Sequence, residues 1–193
     1  LNTGWDSFNL DATHFEHQGQ HYLIWAQQDK NQSYNSALWI AKMRSATELE
    51  LPATLLTEPT LDWEQLGYKV NEGPAVLIKN GKVWLAYSAS ATDHRYAMGL
   101  LSASADADLL KTESWTKAAK PVFYTNDSLK RFGPGHNSFV LAEDGATYLM
   151  LYHARDYKEI QGNPLLDGNR HTRVRPLYWT DKGQLDFAQD KPD

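Results

Sequence analysis

Apolar positions fall in short runs, and the runs come in pairs joined by turn residues. Asp11-Ala12-Thr13-His14-Phe15 is followed by a turn at Gly19 and then His21-Tyr22-Leu23-Ile24-Trp25. Val76-Leu77 is followed by Asn80-Gly81 and then Val83-Trp84-Leu85-Ala86-Tyr87. Phe139-Val140 is followed by Asp144-Gly145 and then Tyr148-Leu149-Met150-Leu151-Tyr152. Asn-Gly or Asp-Gly between two apolar runs predicts a hairpin. A third run follows each pair, at residues 37–43, 97–102 and 172–179, and an edge-like fourth run at 53–56 and 121–124. Residues 106–110 are expected to form a short helical turn; nothing else asks for a helix.

Four antiparallel strands per unit, repeated, predict the blades of a β-propeller. The fold class is all-β, with blade-like units at about 8–68, 70–131 and 134–190 of a single domain spanning 1–193. Propellers close with about four to eight blades, and only three are legible. An open ring leaves strand edges bare. The chain also opens on Leu1 without a Met. The expectation is that this is the C-terminal part of a propeller whose N-terminal blades lie on an upstream segment or on a second chain.

The first strand of each unit is led by a polar residue: Asp11, Glu72 and His136, 61 and 64 positions apart. Glu72 precedes Gly73-Pro74, where glycine permits close approach and proline stiffens the entry to the strand. First strands line a propeller's axis, so these three side chains are expected to converge. Two carboxylates in an aromatic-lined funnel suit glycoside hydrolysis, where one carboxyl protonates the leaving oxygen and another activates water or attacks. A lone Asp in a turn ordinarily binds backbone N–H groups; a polar residue in the same slot of three repeats argues for more.

Composition narrows the classes. The 193 residues carry a formal net charge of −5, which argues against a nucleic-acid partner. The apolar runs are too short to span a bilayer as helices. Absence of cysteine leaves the compartment open. Seven Trp and ten Tyr fit an all-β core, and also a surface that stacks on sugar rings.

The motifs carry a family resemblance. Leu10-Asp11-Ala12-Thr13-His14-Phe15, Val70-Asn71-Glu72-Gly73-Pro74-Ala75, Gly133-Pro134-Gly135-His136-Asn137-Ser138-Phe139, Tyr152-His153-Ala154-Arg155 and Arg170-His171-Thr172-Arg173-Val174 stand in order along nearly the whole chain. The chain resembles glycoside hydrolase family 43, most closely its exo-α-1,5-L-arabinofuranosidase branch. The resemblance implies a five-bladed propeller and inverting hydrolysis that removes α-L-arabinofuranosyl residues from arabinan or arabinose-containing oligosaccharides. β-Xylosidase or endo-arabinanase activity is the alternative within the family, and a non-catalytic sugar-binding fragment the alternative outside it.

By the same resemblance Glu72 is the general acid. Asp11 is the aspartate that orients it and raises its pKa by like-charge repulsion. The general base belongs to a blade not present, on an N-terminal segment or another chain, so this chain alone is expected to be inactive. Arg173 is the choice for a sugar-hydroxyl contact over Arg170, and Trp25 and Trp63 are candidate subsite aromatics that equally suit a blade core. His136 is matched to an axial histidine that faces a metal ion, often a structural calcium, through water; a histidine hydrogen-bonded in the axial channel is the alternative. The chemistry itself requires no cofactor. The expected partners are an arabinose- or xylose-containing saccharide and the complementary segment, with no membrane. A secreted or periplasmic location is expected ahead of a cytoplasmic one.

Overall fold

The computed structural model describes residues 1–193. Its strands gather into three antiparallel blades set side by side. Blade one holds β1 (Asn9–His17), β2 (Gln20–Gln27), β3 (Ala37–Ser45), β4 (Glu48–Leu49) and β5 (Thr54–Thr57). Blade two holds β6 (Asn71–Lys79), β7 (Lys82–Ala89), β8 (Ala97–Ser104) and β9 (Thr116–Lys117). Blade three holds β10 (Phe132–Leu141), β11 (Tyr148–Arg155) and β12 (His171–Pro176), and a small ribbon of β13 (Tyr178–Trp179) and β14 (Leu185–Asp186) follows it.

The turns form where the sequence permits positive φ. Asn80 and Gly81 have φ of 54° and 70°, and Gln18 and Gly19 have 52° and 72°. Two successive positive φ values make the type I′ turn whose twist matches paired strands. The third hairpin is longer, and Asp144 closes it by accepting from the backbone N–H groups of Ala146 and Thr147, each at 2.8 Å.

Edge structure departs from expectation in three places. The outer edge of blade two is β9, which pairs with Leu101 and Ser102, while residues 121–124 add only a bridge between Phe123 and Met98. Two buried aromatics divide that edge: Trp115 sits in the core shared by blades one and two, and Phe123 in the core shared by blades two and three. The third strand of blade three ends at Pro176, and Tyr178 and Trp179 turn away to pair with β14. Residues 106–110 are not helical. Asp108 accepts from the N–H of Leu110 at 3.1 Å, an Asx turn that competes with helix, and the nearest 3₁₀ turn is Thr112–Ser114.

Blade two is the middle layer, so both its faces are dry. Val83, Leu85 and Tyr87 of β7 pack towards Tyr22, Ile24 and Leu38 of blade one. Trp84 and Ala86 pack towards Met150 and Tyr152 of blade three. Strand side chains alternate between faces, which explains why β7 reads as an unbroken apolar run. The inner strands β1, β6 and β10 stand next to one another along the axis, and the Thr13 hydroxyl of β1 donates to the Pro74 carbonyl of β6 at 2.5 Å.

Candidate active site

Pairing registers align the three inner strands. Leu10 lies opposite Ala26, Glu72 opposite Ser88 and Gly135 opposite His153; pairing resumes three residues on, at Thr13, Ala75 and Ser138. The residues between are bulged. The equivalent positions are therefore Asp11, Gly73 and His136, with φ of 55°, 55° and 49°. This corrects the expected repeat: Glu72 stands one residue before the shared slot. Its side chain lines a cleft, whereas Asp11 and His136 line a separate axial cavity.

Glycine suits position 73 best. A Cβ there would lie 3.2 Å from His136 Cγ, and left-handed backbone favours glycine. Its N–H donates to Asp11 Oδ2 at 3.0 Å, and His136 Nε2 stands 3.7 Å from Asp11 Oδ1. Asp11 is thus held by the backbone of the residue next to Glu72. His136 is held in turn by its own N–H, which donates to Ser88 Oγ at 2.7 Å.

Glu72 is half-buried, and the Tyr96 hydroxyl donates to its Oε1 at 2.6 Å. Burial pushes its carboxyl above the ordinary range; Asp11 pushes in the same direction, and Tyr96, His136 and Arg170 oppose. The expected like-charge repulsion from Asp11 is present, but burial is the larger cause. A carboxyl displaced upward keeps its proton nearer neutrality, as a general acid must. The cleft beside Glu72 measures about 380 Å³, with Phe8, Tyr68, Leu165 and Asn35 among its walls. Phe8 and Tyr68 are exposed there, at 64% and 52%. Glu72 is the only carboxylate among the lining residues.

The sequence model described as "Glycosyl hydrolases family 43" matches residues 1–185. The chain belongs to glycosyl hydrolase family 43. It is 50% identical to an α-L-arabinofuranosidase 43 of Humicola insolens over its full length, covering 40% of that protein. It is 51% identical to an extracellular exo-α-(1→5)-L-arabinofuranosidase of Streptomyces avermitilis, with 94% of this chain and 38% of that protein covered. The crystal structure of an α-L-arabinofuranosidase from Lactobacillus brevis superimposes with a TM-score of 0.96 at 50% identity, over 100% of this chain and 59% of that one. The family 43 chain thus spans about two fifths of the length of these curated relatives.

The other anticipated residues are placed elsewhere in this family 43 fold. Trp25 is buried in the outer core of blade one with Leu23, Ala41 and Leu49, and its Nε1 donates to Gln27 Oε1 at 2.7 Å. Trp63 packs on the core between blades one and two, stacked on Tyr87 with centroids 6.2 Å apart. Neither lines the cleft. Arg173 is tied to Asp156, to Asp193 at 3.2 Å and to the Lys130 carbonyl at 3.1 Å, a fastening of the C-terminal segment. Arg170 is the arginine whose charge acts on Glu72.

A metal at the axis finds a poor donor set. The cavity offers one imidazole, His136, and one carboxylate, Asp11, whose Oδ2 is already engaged by Gly73. Nowhere do three His, Cys, Asp or Glu side chains come together, and calcium takes six to eight oxygens. His136 and Asp11 alone do not build a direct calcium shell, and no step is assigned to a metal.

Two residues that the sequence does not single out support Glu72: Tyr96, which touches it and follows the Asp93–Arg95 ion pair, and His153 of the Tyr152–Arg155 stretch, which stacks on Tyr96. No spacing rule connects either to Glu72, because the contacts cross between β6, the β7–β8 loop and β11.

Proposed function

We propose that this chain carries the general acid of a glycoside hydrolase that removes α-L-arabinofuranosyl residues from arabinan or arabinose-containing oligosaccharides with inversion. The observation that carries this is Glu72: a half-buried carboxyl with a raised pKa, opening onto a cleft walled by exposed aromatics, with Asp11 fixed beside it. The sugar follows the arabinofuranosidase names of the relatives above.

In the reaction the bond between the anomeric carbon and the leaving oxygen breaks, and its electron pair passes to that oxygen. Glu72 delivers its proton there. A water oxygen bonds to the anomeric carbon from the opposite face and gives one proton to a base. Inverting pairs stand about 6.5–9.5 Å apart to admit that water. Since the cleft lining holds no second carboxylate, the base is assigned to a segment outside these residues or to another chain. Phe8 and Tyr68 are assigned to sugar stacking, where an aromatic face meets ring C–H groups and a polar tip remains free. Asp11, through the Gly73 N–H, sets the path of the backbone at Glu72 and resists its ionisation. A secreted location is proposed because the Streptomyces avermitilis relative is an extracellular enzyme by name; cell fractionation tests it, and recovery in the cytosol alone would refute it.

The deciding experiment is Glu72→Ala in the complete enzyme. Hydrolysis of natural oligosaccharides is expected to fall roughly 10²–10⁴-fold, the worth of general acid catalysis. Aryl arabinosides with acidic leaving groups are expected to be largely spared. Equal, small losses on both substrates would remove Glu72 from the acid role. The 193-residue chain by itself is expected to be inactive, and normal turnover by it would overturn the external base.

A further inference from the structure

Tyr96 is held more firmly than a cleft residue needs to be. Its ring is 1% exposed and stacks on His153 with centroids 5.5 Å apart and planes 12° apart. Gly135 lies against the ring edge so closely that a Cβ there would run into Tyr96 Cε1. The turn delivering Tyr96 is fastened at every step. Asp93 takes the N–H of Arg95 at 2.9 Å and pairs with its guanidinium at 2.5 Å, and the Asp93 carbonyl accepts from the Tyr96 N–H at 3.1 Å. Thr125 Oγ1 donates to the His94 carbonyl at 2.5 Å and accepts from the Gly133 N–H at 2.9 Å, locking the turn to β10. Gly133 itself abuts the Asp93 carbonyl, leaving no room for a side chain.

His153 completes the clamp without adding charge. Both its ring nitrogens are buried without partners. Burial, helped by Arg170, His136 and Arg155, lowers its pKa to about 3. It is a neutral plate behind Tyr96 across the working pH range.

The Tyr96 hydroxyl reaches one oxygen of Glu72, Oε1, and no other protein group donates to Oε2. We propose that Tyr96 is the positioning residue for the proton donor: it pins Oε1, fixes the carboxyl plane and reserves Oε2 to carry the proton into the cleft. A phenol is a donor here, so it favours the carboxylate left behind once the proton has gone. The hydrogen bond is preorganised for charge that develops during proton transfer, when it strengthens. This rests on Glu72 being the general acid.

The test uses the complete enzyme, with pH profiles of kcat and kcat/KM on a linear arabino-oligosaccharide and on an aryl arabinoside with an acidic phenol. Tyr96→Phe removes a donor to the carboxylate and so raises the Glu72 pKa. The acid must be protonated, so activity falls as pH rises through that value. The basic limb is therefore expected to move to higher pH while kcat on the oligosaccharide drops about tenfold, the scale of a hydrogen bond to a charged group. KM and aryl-arabinoside turnover are expected to stay near wild type. Replacing Tyr96 with a ring-fluorinated tyrosine keeps the shape and sharpens the donor, so the limb is expected to move the other way; this variant decides if the Phe substitution does not fold. A limb that stays put in the folded variants, or equal losses on both substrates, overturns the proposal. Glu72→Gln run alongside separates the two readings. Leaving-group-dependent loss in Glu72→Gln with unmoved limbs in the Tyr96 variants sinks only the role of Tyr96. Absence of that loss sinks the acid assignment and this inference with it.

Discussion

Burial of Glu72 works against stability. Its folded-state carboxyl lies above the ordinary range, so the folded protein binds this proton more tightly than the unfolded chain does. Stability from this group is fully present below the unfolded pKa and is lost as pH rises through the folded one. Glu72→Gln cannot ionise and escapes that loss. The variant is expected to unfold at a higher temperature than wild type at pH 7, and the gap is expected to close on acidification to about pH 4; calorimetry at the two pH values checks the sign. Gly73 poses the opposite case. With φ of 55° and a Cβ position 3.2 Å from His136, Gly73→Ala meets both backbone and steric strain. A loss of about 1–3 kcal/mol is expected, with activity falling as well, because the same residue's N–H holds Asp11. Unchanged denaturation midpoint and activity would contradict this reading of the bulge.

The blades are joined by polar contacts as well as by apolar ones, and Glu64 is the clearest. It lies fully buried in the 3₁₀ turn Asp62–Glu64. It accepts from Tyr87 at 2.8 Å, Asn71 at 3.0 Å and the N–H groups of Thr60 and Leu61 at 3.0 and 2.9 Å, and Lys117 Nζ stands 2.8 Å from it. One carboxylate thus ties the loop after β5 to β6, β7 and β9. Lys117→Met would leave that buried charge without its cation. The expected cost is about 2–3 kcal/mol, below the usual cost of breaking a buried pair, since Lys117 is partly exposed and the other donors remain. For a chain of this size that is a fall of roughly 5–10 °C in Tm. A smaller change than 1 °C would show that the hydrogen bonds alone carry the charge.

Across the whole molecule the two outer blades differ. The outer face of blade one is partly covered: Leu23 and Trp25 are buried there, and Trp5 of the N-terminal segment meets Trp39 edge-on with centroids 4.7 Å apart. The outer face of blade three is bare. Val140 and Val174 are 47% and 48% exposed, with Leu149 and Leu151 half-exposed between them in register. A contiguous apolar sheet face is the seat of another layer or a liability. The 193-residue chain is expected to self-associate, and Val140→Lys with Val174→Lys to shift it toward monomer in sedimentation velocity. In the complete enzyme the same pair is expected to lower Tm, and an unchanged Tm would mean that nothing covers this face.

The sequence by itself determined the all-β hairpin plan, because turn residues set between short apolar runs are local signals that survive without knowledge of neighbours. It also determined Glu72 as the acid candidate, through Gly73-Pro74 and the motif around it. Only tertiary structure decided the repeat slot, since a bulge shifts register by a residue that spacing cannot see, and Gly73 rather than Glu72 proved equivalent to Asp11 and His136. Only tertiary structure separated Arg170 from Arg173 and removed Trp25 and Trp63 from the cleft, because residues that look alike along the chain face different layers once the blades stack. Tyr96 was illegible for the same reason: its single informative contact, 2.6 Å to Glu72, joins a loop to a strand 24 residues away, and a distance of that kind is made by packing.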